Sequence, residues 1–425
     1  MQPQQTTGNI VLVTSGQPSA NPRLVKEALS LADAGYQVTV LYVPISPWAT
    51  ALDDALFATH RNIDWKQVGQ NAENAPWRYK WLRLQSKCYG WLFRLMGPHF
   101  RWASYGQALY AKALLSAALQ IKATHYRGHN LGALPAVVAA AKRYGATASF
   151  DFEDYHRGES AEGTLAQQQV VAIEQQFVPA LSWATGASPL ITEAYQQLFP
   201  QVPITTVQNC FTKAYALPTV TTIPQVPLQL FWFSQHVGKD RGLETVIAAM
   251  NLLPTQPIVL HLLGNVTPAL KLYFNGLLRT TNSHLQQIIW HAPVAEAAIV
   301  SLASQCHIGL ACEVPHIANR TVCLTNKIYM YLLAGNAIVY SQTKAQQQFW
   351  EQYSDTGCTY APYDAAGLAA ILANYATDAH LLQLHRKNSH ALAQERLHWE
   401  AEQTSFLQLV AASISSPSTY ATTSI

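Results

Sequence analysis

Charge is scarce in this chain. Asp, Glu, Lys and Arg make up 12% of its 425 residues, about half the usual share of a soluble protein. Acidic residues are missing altogether from Asn74 to Phe150, a stretch that carries eleven Lys and Arg. The formal net charge of +3 therefore hides a basic block suited to an anionic partner. No apolar run reaches the roughly 18 residues of a membrane-spanning helix. Met1 to Gly8 lacks the basic-then-apolar layout of a signal peptide, so a cytoplasmic location is expected. The six cysteines (Cys88, Cys210, Cys306, Cys312, Cys323 and Cys358) are scattered without a Cys-x-x-Cys pair. That excludes a structural zinc site or disulfide framework and predicts buried, reduced thiols. There is no G-x-G-x-x-G, which speaks against a dinucleotide oxidoreductase. No recognised nucleic-acid motif accompanies the basic block, so nucleic acid is not expected as a partner.

What is present is a steady strand–helix alternation. Ile10 to Val13 is a short apolar strand, Leu24 to Ala34 has helical spacing ending at Gly35, and Tyr36 to Tyr42 is β-rich. Strand, helix and strand within about 30 residues make a βαβ unit and hence a parallel sheet. Helix Leu134 to Arg143 and strands Ala146 to Phe152 and Thr205 to Gln208 continue it. Residues 214–226, with Pro218, Pro224 and repeated Thr, read as a linker. The alternation restarts at Leu228 and runs through helices at 366–375 and 380–405. The prediction is an α/β protein of two doubly wound, Rossmann-like domains facing a central cleft. The first spans 1–213, joined by a C-terminal helix at 390–412, and the second spans 227–389.

The most informative segment is Leu324 to Ser341. Thr325 or Asn326 can cap a helix that Gly335 ends, and Ala337 to Tyr340 follows as a strand. A polar loop entering a helix offers free N–H groups and a positive dipole end to a phosphate. An ordinary structural turn is the competing reading. Earlier, Gly16 follows the first strand, where glycine lets a ligand approach the backbone. His129 precedes a helix, and Asp151, Glu153, Asp154 and His156 crowd a strand end. Alternation puts Asp151 and Glu153 on one side, where carboxylates can bind hydroxyls or accept a proton. Their spacing is not that of metal ligands, so no metal and no cofactor is expected.

The wording "TNKIYMYLLAGNAIVYS" (Thr325 to Ser341) resembles the donor-site signature of family 4 glycosyltransferases, which have the GT-B fold. Four further stretches fall in that family's order: Val13 to Leu41, Gly128 to Asp154, Val207 to Phe211 and Trp232 to Met250. The resemblance implies a hexosyltransferase of polysaccharide biosynthesis. It would take a nucleotide-diphosphate sugar and a glycan or lipid-linked acceptor, retain anomeric configuration and need no metal. By resemblance His129 contacts the transferred sugar, with Asp151 and Glu153 beside the acceptor. Glu153 stands where the family has His. Gly16, Arg241, Thr325, Asn326 and Lys327 would hold the donor. The family's other phosphate-binding Arg should fall near Gln235 or His236, neither a permanent cation. Met330 occupies the place of the second carboxylate of the Glu-x7-Glu pattern and Val322 that of the first, so both are missing. The alternative this leaves is a non-catalytic GT-B binding or scaffold protein in a glycan-biosynthesis complex.

Residues 77–96 form one more candidate. On a helical wheel Trp77, Trp81, Leu84, Cys88, Trp91, Leu92 and Leu95 share a face, flanked by Lys80, Arg83, Lys87 and Arg94. A basic amphipathic helix with Trp on its apolar side suits an anionic membrane surface, here the inner face of the cell membrane. A domain helix burying its Trp face in the core is the other reading.

Overall fold

A computed structural model describes residues 8–97, 99–279 and 285–415. The chain forms two compact units. One comprises Met1–Gln208, Ile317–Asn319 and Gln403–Ile425, and the other Asn209–His316 and Arg320–Glu402. The expected linker at 214–226 falls inside the second unit.

The first unit is built on a seven-stranded parallel sheet. Its strands are β1 (Asn9–Thr14), β2 (Gln37–Tyr42), β3 (Asp64–Gln67), β4 (His125–His129), β5 (Thr147–Phe152), β6 (Trp183–Gly186) and β7 (Ile204–Thr206). Their order is β3-β2-β1-β4-β5-β6-β7. Chain order reverses between β1 and β4, which is the topological switch point where open α/β sheets bind ligands. The inner strands read as apolar runs because helices cover both faces, but β4 and β5 depart from this. His125, Arg127 and His129 alternate along β4, and Thr147, Ser149 and Asp151 along β5, all of them buried. The register pairs His125 with Thr147, Arg127 with Ser149 and His129 with Asp151, so one face of the sheet carries a buried polar stripe.

The second unit repeats the plan with six parallel strands: β8 (Leu228–His236), β9 (Ile258–Asn265), β10 (Gln286–His291), β11 (Ile308–Ala311), β12 (Ala337–Ser341) and β13 (Gly357–Tyr360). Their order is β10-β9-β8-β11-β12-β13, with the switch point between β8 and β11. Leu230, Trp232, Leu260, Leu262, Leu310 and Val339 centre its core.

Three expectations need correction. The helix expected at 380–405 is two, Ala379–Glu395 and Trp399–Ser415, because the chain breaks at Arg396. From Gln403 onward the second of these belongs to the first unit, where Ser30 Oγ donates to Gln403 Oε1 at 3.0 Å. The strand expected at Thr205 to Gln208 ends at Thr206, so Val207 to Phe211 lies beyond it. Finally, no side chain caps the Lys327–Ala334 helix. Asn326 is its N-cap but has helical φ and ψ, from which a side chain does not fold back onto the first turn. At the other end Gly335 has φ 67°, the left-handed stop expected of it.

Candidate functional site

In the first unit the candidate residues gather at the carboxyl ends of β1, β4 and β5. The parallel register sets Thr14, His129 and Asp151 side by side. Thr14 Oγ1 donates to Asn130 Oδ1 at 2.7 Å and accepts from the Gly16 N–H at 3.2 Å. A Cβ at Gly16 would meet nothing nearer than Asn130 Oδ1 at 3.5 Å, so the fold does not require glycine there. Asn130 itself sits at φ 61°, ψ 140°. That conformation costs a non-glycine residue on the order of 1–3 kcal/mol and clusters at functional sites.

His129 is fully buried between carboxylates. Its Nε2 lies 2.9 Å from Glu27 Oε2, and its Nδ1 is 3.2 Å from Glu153 Oε1 and 3.6 Å from Asp151 Oδ2. Burial disfavours the imidazolium. The charge of Glu27, hydrogen bonds to Glu153 and Glu27 and the charge of Asp151 outweigh it, raising the pKa to about 9. At neutral pH His129 is therefore a cation and donor, not a base.

Two buried arginines complete the cluster. Arg23 grips Asp151 bidentately, with Nη2 donating to Oδ1 at 2.8 Å and Nε to Oδ2. Arg127 holds Glu27 in the same way, with Nη2–Oε1 at 2.7 Å, and also donates to Thr185 Oγ1 at 2.7 Å. Its guanidinium lies 5.0 Å from the Trp183 ring and 5.0 Å from the Phe406 ring. Burial works against the Glu27 carboxylate, but Arg127 and His129 hold its pKa well below the usual range. Three cations against Glu27, Asp151 and Glu153 make the cluster neutral only when His129 is protonated. Arg127, one of the eleven cations of the basic stretch, is thus an internal counter-ion.

Glu153 is the outward member, its side chain 18% exposed while Glu27, His129 and Asp151 show no surface. Asn21 caps the Pro22–Asp33 helix through Oδ1 and donates Nδ2 to Glu153 Oε1 at 2.6 Å. Asp154 accepts from Asn319 Nδ2 at 2.9 Å. His129, Asp151 and Glu153 offer ligand atoms within 4.8 Å of one another, which the sequence spacing concealed. Within this set Asp151 is paired with Arg23, and His129 lies between Glu27 and Glu153.

The second cluster lies at the switch point of the second unit. Glu313, two residues beyond β11, is buried with its N–H bonded to Ser341 Oγ at 2.9 Å. Lys327 Nζ donates to its Oε1 at 2.9 Å and Arg320 Nη1 to its Oε2 at 2.6 Å. Arg241 Nε is 3.9 Å away, too far for a hydrogen bond, and has no hydrogen-bond partner among the described residues. Burial raises the Glu313 pKa, but the three cations outweigh it and the net shift is downward. The Arg241 pKa is lowered, by burial first and despite Glu313. Three cations around one carboxylate leave a net charge of +2. Arg241 and Arg320 keep about a quarter of their side chains exposed.

Local geometry fixes these positions. Gly242 has φ 82°, and a Cβ there would stand 2.9 Å from Cys312 Cβ, so Arg241 is held against the β11 loop. The Tyr331 ring lies flat on Gly309 and its hydroxyl donates to Leu310 O at 3.1 Å, seating the Lys327–Ala334 helix on β11. Thr325 Oγ1 accepts from Lys327 at 3.3 Å, and Asn326 is exposed. Met330 shows no surface at all, so solvent does not reach it. Gln235 and His236 are exposed at the end of β8; the second arginine beside Glu313 is Arg320. Sequence reasoning missed Glu313 and Arg320 because nothing in their spacing links residues 241, 313, 320 and 327.

Compared with known proteins, the sequence matches no protein-family model. No curated protein matches it either. Solved structures do. Sucrose-phosphate synthase from Thermosynechococcus elongatus superposes with a TM-score of 0.67 at 13% identity, over 95% of this chain and 98% of that one. Anabaena HepE in complex with UDP-glucose gives 0.66 at 14% identity, over 95% and 100%. A glycosyltransferase from Rickettsia africae gives 0.66 at 10%, over 96% and 99%. The fold is GT-B. At these identities the likeness is one of fold, and the chemistry has to be argued from the two clusters.

Proposed function

We propose that this protein is a glycosyltransferase that moves a sugar from a nucleotide-diphosphate donor to a glycan or lipid-linked acceptor. The observation that carries the reading is the Arg241, Arg320 and Lys327 trio on Glu313 at the switch point of the second sheet. A net +2 beside a helix N-terminus complements a diphosphate, whose negative charge grows as the bond from sugar to phosphate breaks. Glu313 positions the cations while cancelling only one of them. Anabaena HepE, of like fold, is described in complex with UDP-glucose, which supports a nucleotide-sugar donor here.

In the first unit, Glu153 is the carboxylate able to bind hydroxyls or take the acceptor's proton. Protonated His129 holds its orientation from the buried side. The order of five family-like motifs supports a family 4 hexosyltransferase that retains configuration. The arginine already on Asp151 supports chemistry without a metal.

Met330 and Val322, apolar where the family has carboxylates, favour a second reading: a GT-B protein that binds a partner or glycan without catalysis. A transfer assay separates the two. Incubation with a panel of nucleotide sugars should release nucleoside diphosphate from one of them, and Glu153→Gln should slow that release. Nucleotide binding without turnover would favour the non-catalytic reading, and no binding would remove the proposal.

A further inference from the structure

We propose that the outer face of the Pro76–Met96 helix docks the protein on an anionic lipid surface. The helix is anchored by its opposite face. Ser86 Oγ donates to Gly106 O at 2.7 Å, and the Tyr89 ring stacks on Trp102 at 5.8 Å. A Cβ on Gly106 of the Phe100–Gln107 helix would stand 3.2 Å from Gly90 N, so the two helices touch backbone to backbone and the orientation is fixed. Phe93 is the buried side chain of the helix. The Trp face is thereby turned outward, and the core reading of Trp77, Trp81 and Trp91 is ruled out.

Trp77 is 81% exposed, Trp81 59% and Trp91 61%, with Leu84, Leu95 and Met96 similarly bare. These six are about a third of the seventeen large apolar side chains exposed among the described residues, gathered on one 21-residue helix. Apolar exposure concentrated in this way marks an interaction surface. Lys80, Arg83, Lys87 and Arg94 flank it, all exposed. No acidic residue stands between Asn74 and Phe150 to offset them. That charge selects the occupant. A second copy would bring the same basic flanks face to face, whereas phosphate headgroups neutralise them and let the Trp rings settle at the interface. No described helix is long and apolar enough to cross a membrane, so the contact is peripheral.

The test is co-sedimentation of the full chain with phosphatidylglycerol-rich and pure phosphatidylcholine vesicles. Wild type should pellet with the first and not the second, and release as salt is raised toward about 0.5 M. Lys80, Arg83, Lys87 and Arg94→Gln together should cut vesicle affinity by roughly a hundredfold or more. Trp77, Trp81 and Trp91→Ala should weaken binding while keeping its salt dependence. All seven side chains are exposed, so matching circular dichroism and melting curves should show intact folds. Three results would overturn the proposal: no wild-type binding to the anionic vesicles at low salt, equal binding by the Gln variant, or a wild-type dimer that the Trp variants dissociate. Nucleotide titration is a separate readout, so failure here leaves the donor-site reading standing.

Discussion

Replacing His129 with Gln probes the charge balance of the first unit. With His129 protonated, Arg23, Arg127 and His129 balance Glu27, Asp151 and Glu153; with Gln the cluster carries a net −1 in a buried site. The imidazolium pKa rises from 6.5 to about 9 on folding. At 1.36 kcal/mol per unit this corresponds to roughly 3 kcal/mol of stability. Because the folded pKa is the higher one, that contribution is complete below 6.5 and disappears as pH rises through 9. At roughly 2–4 °C per kcal/mol, His129→Gln should melt about 6–12 °C lower at pH 6. The gap should narrow steadily by pH 10, where wild type has lost the same charge. His156, also raised to about 9 by its contacts with Glu159 against the cost of burial, titrates in the same window. Both proteins keep it, so the difference between the two melting curves isolates His129. Parallel curves from pH 6 to 10 would refute the reasoning.

Other expectations follow from the same geometry. Arg127→Met should cost about 3–5 kcal/mol by removing the bidentate partner of buried Glu27 and leaving it only the His129 imidazolium, and adding Glu27→Met should restore much of it, as urea unfolding would show. Met330→Glu should lower the melting temperature without tightening nucleotide binding, since Met330 has no surface. Gly309→Ala should destabilise by about 1–3 kcal/mol, because the new Cβ falls 2.2 Å from the Tyr331 ring. Arg241→Ala should weaken donor binding by roughly 1.5–3 kcal/mol with the fold intact, measured by titration.

Much of the fold is written locally. Apolar strands, periodic helices and the Gly335 stop place β1, β2, β5 and β12 within a residue of their observed bounds. The break at Arg396 escaped because apolar periodicity continues on both sides of it. The sites are less legible. His129, Asp151 and Glu153 are named by their own neighbourhood, and β4–β5 register brings them together. Arg23 and Glu27 sit on a helix whose apolar spacing looks ordinary, and only the sheet beneath explains two charges on its buried face. Glu313 and Arg320 reach Arg241 and Lys327 through four separate stretches of chain, which no local pattern records. The exposed Trp face was ambiguous on the wheel, because periodicity gives a helix its stripe but not its direction.

The central claim rests on the cations around Glu313, and isothermal titration tests it most directly. Wild type and Arg320→Ala would each be titrated with UDP, GDP, ADP and CDP. One nucleoside diphosphate should bind wild type, more tightly than its monophosphate, and Arg320→Ala should weaken it by tenfold or more. A wild type that binds none of the four, or binds diphosphate and monophosphate alike with no loss in Arg320→Ala, would contradict a donor site at this cluster.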